Sequence, residues 1–499
     1  MRYFLFLSAF FLTPALSAHD LEREGIYYNI IEMDGIGTCL EVTNRGDTYG
    51  SYAGDVAIPA TVEADGKSLT VSVIGEFAFR DCNALLSVDI PESVTRIGGY
   101  AFWRCTSLRS VAIPASVEDI GDSAFKGCAS LMSVDFSPGV ESIGDFAFKD
   151  CEALVSVDIP GTVSSIGTCA FSRCTSLAAV VLRKGVRRVG TQAFAKCSAL
   201  EDISLTEGLE EIGDKAFMNC SSLHGITIPN SVAVLGEGMF QDCGSLQSVK
   251  LPEGLSVIPG YFFCRCPLRS FDIPEGVEVI GEHVFSGCGL LKTVMFPHSL
   301  KSIGRNAFYG SGIESLSFHD GFREIGNLAF AFCESLTTVS LPETFEVIGV
   351  ASFMFCTALK TMNFPASIKE IGKEAFHQCS SLTDITIPQG ITSISWGTFS
   401  GCRSAKSVRV LSSNTPLVED GAFDNYNATL YVPLGSLDSY RKDPQWGKFL
   451  TIREFDVDAA WNPSVNIQST RTIHDLQGRR INGIPQKGVY IQNGRKYVR

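Results

Sequence analysis

The stretch IGGYAFWRCTSLRSVAIPASVED, residues Ile97–Asp119, is followed without a gap by IGDSAFKGCASLMSVDFSPGVES, residues Ile120–Ser142, and both follow one pattern. The apolar residue that opens the pattern recurs in fifteen copies, at intervals of 23 residues apart from two intervals of 22. A fixed period in the range of about 20–50 residues predicts a stacked solenoid. The copies open at Ile74, Ile97, Ile120, Ile143, Ile166, Val189, Ile212, Leu235, Ile258, Ile280, Ile303, Ile325, Ile348, Ile371 and Ile394.

The segment that follows the Cys position of each copy predicts a short strand. In the copy quoted first, Leu108, Val111 and Ile113 are apolar and face inward, while Ser110 faces outward in the alternation typical of a half-buried strand. Pro114 lacks a backbone donor and ends the strand. The two shorter copies each lose one residue just after the strand-preceding Cys position, where a turn tolerates a deletion.

The segment after the Pro position returns the chain to the interior and runs into the start of the next copy. Val117 and Ile120 face inward, Gly121 is predicted to permit a tight turn, and Phe125 fills the core. Because each repeat shields the apolar face of its neighbour, equivalent side chains form ladders. The aromatic ladder consists of Phe79, Phe102, Phe125, Phe148, Phe171, Phe194, Phe217, Phe240, Phe263, Phe285, Phe308, Phe330, Phe353, Phe376 and Phe399.

The repeat resembles that of the BspA-like leucine-rich repeat proteins of bacterial surfaces, from about Val71 to Phe423. The resemblance implies a leucine-rich repeat solenoid with a parallel sheet on one face and short turns or helices on the other. It also implies adhesion or host-protein binding. We expect about fifteen repeats of 22–23 residues, a β-rich N-terminal cap and an α/β C-terminal cap.

The ends of the chain predict further segments. Residues 1–18 have an early Arg2, a short apolar run and small residues at the end, the pattern of a signal peptide. We predict a cap at 19–70, the solenoid at 71–424, a second cap at 425–457, a linker at 458–470 and a tail at 471–499. In the second cap we expect a strand near 430–432, a helix near 436–442, and Trp446, Phe449 and Ile452 over the last repeat.

The tail resembles a type IX secretion sorting domain through Leu476–Arg480, Lys487–Ile491 and Asn493–Lys496. The resemblance implies that export machinery is a partner and that the protein is secreted or held on the outer surface of a Gram-negative bacterium. The alternative is a structural C-terminal hairpin.

The charge and the motifs of the sequence disfavour several classes of function. The net charge is −13, and seven basic residues against one acidic residue after position 470 leave the preceding chain more acidic still. Such a body disfavours nucleic acid as a partner. Beyond the first residues no apolar run is long enough for a membrane span. The seven His residues form no metal or acid–base motif, so we expect no cofactor, no metal site and no enzyme activity.

Cysteine contributes 17 residues, and fourteen of them occupy one repeat position. A buried ladder of free thiols is favoured over disulfides, because stacked side chains point in parallel, a poor geometry for bridging. Ser311 interrupts the row. The fourteen are Cys82, Cys105, Cys128, Cys151, Cys174, Cys197, Cys220, Cys243, Cys266, Cys288, Cys333, Cys356, Cys379 and Cys402.

The outward strand position between the second and third inward residues predicts the binding surface, since the exposed sheet face is where such solenoids bind. We expect a host surface or matrix protein, or a glycan, to bind there. Alternatives are a structural surface-layer component and, less favoured, a glycan-processing enzyme. The predicted site residues are Asp89, Asp135, Asp158, Thr227, Lys250, Asp272, Ser317, Asn363, Thr386 and Arg409, and Asp135 and Asp158 are expected to repel each other on adjacent repeats.

Two short motifs lie before the repeats. Arg45, Gly46 and Asp47 resemble an integrin-binding tripeptide, although these residue types are also ordinary in a hairpin turn. The Gly66-Lys67-Ser68 stretch lacks the first glycine of a phosphate-binding loop and is interpreted as a turn.

Overall fold

A computed structural model describes residues 19–46, 49–457, 473–474, 480–481, 489–492 and 495–498. The predicted signal peptide (1–18) and linker (458–470), and most of the predicted sorting motifs, therefore lie outside the described residues. Four tail strands are described, and they form an antiparallel sheet: Ile473–His474, Arg480–Ile481, Val489–Gln492 and Arg495–Val498.

Each repeat contributes two parallel strands, and the longer one follows the Leu-x-x-Val-x-Ile pattern. In Ser110–Ile113 the first and third residues are exposed and the second and fourth are buried. Ser110 aligns with Ser133 of the next repeat, so the register keeps equivalent residues side by side. We call this set the long-strand sheet. Its strands, grouped by continuous pairing, are Ala53–Ala57 and Ala84–Asp89; Ser110–Ile113, Ser133–Phe136, Ser156–Ile159, Ala179–Leu182 and Asp202–Ser204; Gly225–Thr227 and Ser248–Lys250; Ser270–Asp272 and Thr293–Met295; Ser315–Ser317 and Thr338–Ser340; Thr361–Met362, Asp384–Ile387, Ser407–Val410, Thr429–Pro433 and Thr451–Phe455.

The second strand of each repeat is two residues long and forms a second parallel sheet, the short-strand sheet. The predicted parallel-sheet solenoid is confirmed, whereas this second sheet was not predicted. Within the described residues, helices occur only near the C-terminal end of the body, at Leu437–Lys442 (α) and Trp446–Lys448 (3-10). The short strands are Arg96–Ile97, Asp119–Ile120, Ser142–Ile143, Ser165–Ile166, Arg188–Val189, Glu211–Ile212 and Val234–Leu235; Val257–Ile258, Val279–Ile280, Ser302–Ile303, Glu324–Ile325, Val347–Ile348 and Glu370–Ile371; Ser393–Ile394 and Leu417–Val418.

The glycine after each short strand has a different role from the one predicted. Gly121 does not have a positive φ; instead, a Cβ added there would lie 2.6 Å from the backbone nitrogen of Gly99 in the preceding repeat. The left-handed turn conformation falls on other residues, for example Ser123 with φ of 57°. The glycine is therefore required because successive backbones approach too closely for a side chain.

Among the fifteen copies, the two in which this glycine is replaced coincide with the two breaks in the short-strand sheet. In the regular repeats its N–H donates to the preceding Ile carbonyl, as from Gly236 to Ile212 at 2.8 Å. Pro259 has no N–H to donate to Leu235, and the sheet stops at Leu235 and restarts at Val257. A cavity of about 450 Å³ lies at this break. The second break precedes Ser393, and there Ser395 holds the glycine position.

Stacked phenylalanines form the core, as predicted. The rings of Phe79 and Phe102 are 4.7 Å apart and nearly parallel, and the spacing widens to 6.0 Å between Phe240 and Phe263, at the Pro259 repeat. The ladder phenylalanines are at most 1% exposed. Each ring contributes buried apolar area of about 150–250 Å², so the ladder is a major source of the solenoid's stability.

The cysteine row is a buried hydrogen-bonded ladder. All 17 thiols are free, in agreement with the predicted thiol ladder. The Sγ of Cys105 donates to the carbonyl of Phe79 at 3.0 Å, and that of Cys128 to Phe102 at 3.1 Å. Burial raises the pKa of Cys197 to about 12. The thiol is thus a small side chain that donates a hydrogen bond to a buried carbonyl group.

Both ends of the solenoid are covered. The N-terminal strands are Leu21–Arg23, Ile26–Met33, Gly37–Thr43, Thr61–Ala64 and Lys67–Ile74, and they extend the short-strand sheet. Tyr52 packs on Phe79 with ring centroids 4.4 Å apart. At the other end the buried side chains of Trp446 and Phe449 lie against Phe423, as predicted.

Candidate binding surface

The exposed side of the long-strand sheet, here called the outward face, carries the predicted binding row. Of the predicted residues, Thr386 and Arg409 are half-buried. The first residue of most long strands bears a hydroxyl group and forms a neighbouring row. The exposed predicted residues are Asp89, Asp135, Asp158, Thr227, Lys250, Asp272, Ser317 and Asn363.

The carboxylate of Asp158 forms an ion pair within the protein. Arg183 donates to both carboxylate oxygens, at 2.8 Å and 2.6 Å. These hydrogen bonds lower the pKa of Asp158. Asp158 aligns with Val181, and Asp135 aligns with Ala112. The cation on Asp158 offsets the like-charge repulsion that adjacent repeats would otherwise impose.

Arg409 lies at the C-terminal end of the outward face. Its guanidinium carbon is 5.5 Å from the centre of the Phe455 ring, in the last strand of the body. Burial lowers its pKa. This contact with the C-terminal cap depends on a segment outside the repeats, so the repeat pattern could not indicate it.

A further outward row, which was not predicted, follows the inward Leu position of each repeat; Ile313 and Ala405 hold that position in two repeats. In the sequence, this row is identified by the residue directly after that position. In the first repeats it is apolar and exposed at Leu86, Met132 and Val155. Later in the chain it becomes basic at Arg269, Lys292, Lys360 and Lys406.

Charge on the outward face therefore changes along the solenoid. Acidic residues dominate the first repeats, and basic residues dominate from Lys250 onward. Lys292 pairs with Glu314 at 2.9 Å. The acidic residues of the first part are Asp89, Asp135, Asp158, Glu201 and Asp202, with Arg109 basic; those of the second part are Asp272, Glu314 and Asp384, with Lys250, Arg269, Lys292, Lys360, Lys406 and Arg409 basic.

A depression of about 590 Å³ lies where the two parts of the outward face meet. It falls at the break between Asp202–Ser204 and Gly225–Thr227, which are not paired. Glycine weakens a strand because it supplies no side chain to pack. The polar residues around the depression are Asp202, Ser204, Thr227, Ser248 and Lys250.

The integrin-type motif is only partly described. Arg45 is exposed, and the N–H of Gly46 donates to Oδ1 of Asn44 at 2.8 Å, as in an ordinary turn. Asp47 lies outside the described residues. Over the described part of the chain, no group of three or more His, Cys, Asp or Glu side chains is placed to hold a metal ion.

The two sheets, the phenylalanine ladder and the 22–23-residue period define a solenoid of the leucine-rich repeat class. A BspA-type leucine-rich repeat region matches residues 67–178, 170–290, 256–382 and 369–432. The chain therefore belongs to the BspA-type leucine-rich repeat family.

The chain is also similar to solved structures of other proteins. A leucine-rich repeat protein from Bacteroides ovatus is 25% identical, covers 88% of this chain and 100% of its own, and has a TM-score of 0.61. A leucine-rich cell surface protein from Faecalibacterium prausnitzii is 24% identical over 78% of this chain and 94% of its own, with a TM-score of 0.43. The pneumococcal vaccine antigen PcpA is 19% identical over 88% and 98%, with a TM-score of 0.40. No curated protein matches the sequence.

Within the described residues, no helix has the length and apolar composition needed to cross a membrane.

Proposed function

We propose that the protein is a non-enzymatic binding or adhesion protein that engages a host protein, a matrix component or another cell through its outward face. The observation that carries this proposal is the set of exposed polar rows that the long-strand register keeps aligned over many repeats. A solenoid presents such rows as one extended surface.

The proposed location is outside the cell, secreted or on the outer surface of a Gram-negative bacterium. The signal-peptide pattern of residues 1–18 and the sorting-domain resemblance of residues 471–499 support it. Deleting residues 472–499 tests the role of the tail. Loss of the protein from the cell exterior is the expected result, and retained export would reject that role.

The binding proposal is tested by coating beads with the purified full chain and measuring their retention on immobilised basement-membrane extract. Substitution of Lys250, Arg269, Lys360 and Asp135 by Gln or Asn removes charges from the outward face and should reduce retention at least fivefold. The matched control replaces Lys196, Lys215, Arg305 and Glu282 in the same way, which removes the same number of basic and acidic charges from the turns that follow the short strands. Equal retention by both variants would reject the outward face as the binding surface.

The same preparation tests whether the protein is instead a structural surface-layer component. Sedimentation velocity should show a monomer, and the bead assay should show that this monomer binds the extract. Concentration-dependent polymers without retention on the extract would favour the structural role.

A further inference from the structure

We propose that the depression beside Gly225 and the basic part of the outward face beginning at Lys250 form a binding site for an acidic polysaccharide. This inference rests on the proposed binding function and names its ligand class. Such a site needs a polar pocket for a sugar residue and a row of cations that are not ion-paired within the protein. Its side chains must also suit a glycan better than a polypeptide or a nucleic acid.

The depression has the size and lining of a small polar ligand site. Its volume of about 590 Å³ lies in the range of pockets that hold small molecules. Ser204, Thr227 and Ser248 bring hydroxyl groups, Lys250 brings a cation and Asp202 brings an acceptor. Such a lining can donate to and accept from sugar hydroxyl groups while Lys250 pairs with a carboxylate or sulfate.

Gly225 keeps this space open. In the neighbouring repeats its position is held by a residue with a side chain, Asp202 before it and Ser248 after it. A Cβ at Gly225 would lie 2.6 Å from the Oγ of Ser248, so even the smallest side chain would crowd that hydroxyl.

The basic track continues from the depression towards the C-terminal cap. Lys250, Arg269, Lys360 and Lys406 form no ion pair within 4.0 Å with an acidic group of the described residues. Cations elsewhere commonly pair across neighbouring repeats, as Arg173 does with Asp150 at 2.8 Å. With strands about 4.8 Å apart, the seven steps from Lys250 to Lys406 span about 34 Å. An extended anionic chain could contact several of these cations at once.

The side chains of the outward face favour a glycan over other anionic polymers. Protein interfaces depend on buried aromatic anchors, and single-stranded nucleic acids stack on aromatic rings. From Ser87 to Arg409 the three outward rows of the described repeats contain His224 but no Phe, Tyr or Trp. The row formed by the first residues of the long strands is rich in hydroxyl groups in this part of the solenoid. Its hydroxyl-bearing residues are Ser248, Ser270, Thr293, Ser315, Thr338, Thr361 and Ser407.

The test measures binding of the full chain to immobilised hyaluronan, heparin, neutral dextran and poly-L-glutamate by biolayer interferometry. Hyaluronan and heparin should bind at least tenfold more tightly than dextran and poly-L-glutamate, and high salt should weaken both, because screening acts on exposed charge pairs. Equal binding of poly-L-glutamate would overturn the inference in favour of an acidic protein partner. No preference for hyaluronan or heparin over dextran would also overturn it.

Two variants locate the site. Gly225→Ser fills the depression without changing charge, and the double variant K250Q/R269Q removes two cations next to it; each should weaken hyaluronan binding about tenfold. The control K196Q/K215Q removes two cations from turns away from the outward face and should change binding less than twofold. Thermal unfolding followed by circular dichroism verifies that all variants are folded. Equal loss in the control would show unspecific charge attraction and overturn the inference.

Failure of this inference is distinguishable from failure of the proposed function. If the wild-type protein is retained on basement-membrane extract but binds neither hyaluronan nor heparin, the binding function stands and the glycan assignment is wrong. If it is not retained but binds hyaluronan, the glycan site stands alone.

Discussion

Replacing Gly167 by Ala tests the claim that close backbone approach, rather than turn conformation, requires glycine after each short strand. A Cβ at this position would lie 2.5 Å from the carbonyl carbon of Gly144 and 2.6 Å from the nitrogen of Asp145. Both atoms are backbone, so neither can rotate away. Gly167 also donates its N–H to Ile143 at 2.9 Å.

The magnitude follows from this geometry. Ordinary contact for a Cβ begins at 3.4 Å, so the two repeats must separate locally by about 0.9 Å, the difference between 3.4 and 2.5 Å. Such a shift would lengthen the bond from Gly167 to Ile143 well beyond the normal limit of about 3.2 Å. Losing that bond and leaving a buried carbonyl unpaired costs about 1–3 kcal/mol, and strain in the packed core adds about 1 kcal/mol or more. We expect a loss of about 2–4 kcal/mol in the free energy of unfolding.

Urea unfolding followed by far-ultraviolet circular dichroism measures this loss. The control is Gly289→Ala, because Gly289 has no positive φ and a Cβ there would have no neighbour within 4 Å. That change should leave stability unaltered or raise it by up to about 1 kcal/mol through reduced freedom of the unfolded chain. If Gly167→Ala is as stable as Gly289→Ala, the close-approach explanation is wrong.

Three further outcomes are expected. Pro259→Gly should restore a donor to Leu235 and slow hydrogen exchange at Val257 and Ile258; because the greater freedom of glycine in the unfolded chain opposes the new bond, unfolding free energy should change by less than about 1 kcal/mol. Ser352→Ala should stabilise the protein by about 1 kcal/mol in urea titration, since the Ser352 hydroxyl is fully buried and has no hydrogen-bond partner in the described residues. Stability should fall as pH rises from about 9 towards 12. Burial raises the pKa of thiols such as Cys197 and Cys243 to about 12 while the unfolded thiols ionise near 9.0, so each such thiol lowers the free energy of unfolding by about 1.4 kcal/mol per pH unit in that window. Urea midpoints at pH 8.0, 9.5 and 10.5 measure this fall, and a flat profile would contradict the buried ladder.

The period alone was enough to predict the solenoid and its phenylalanine ladder. A residue that recurs every 22–23 positions must face its own copy in the next repeat, so the contact between Phe79 and Phe102 follows from the spacing. The hydrogen bond from Cys105 to the Phe79 carbonyl joins residues 26 positions apart and does not follow from the period. The role of Gly121 could not be predicted in the same way. Its cause is the distance to the backbone of Gly99, a property of two stacked repeats rather than of one.

The outward face was predicted in part. Alternation within a strand identifies which residues point away from the core, and Asp89, Asp135 and Lys250 are exposed as expected. Alternation cannot show that Arg183 engages Asp158, since the pair is 25 residues apart. Nor can it show the depression beside Gly225, because that depends on a break in strand pairing.

The free thiols bear on the proposed location outside the cell, where cysteines usually form disulfides. Oxidation proceeds through the thiolate, and burial raises the pKa of Cys243 and Cys288 to about 12, so very little thiolate forms near neutral pH. From Cys105 onward each ladder thiol also donates to a phenylalanine carbonyl, as Cys220 does to Phe194 at 3.2 Å. A row of neighbouring cysteines can therefore persist unbridged in an oxidising compartment for as long as the repeats stay stacked. Local separation of the stack would remove both protections together, so reactivity of the native protein towards a thiol reagent should follow unfolding rather than precede it.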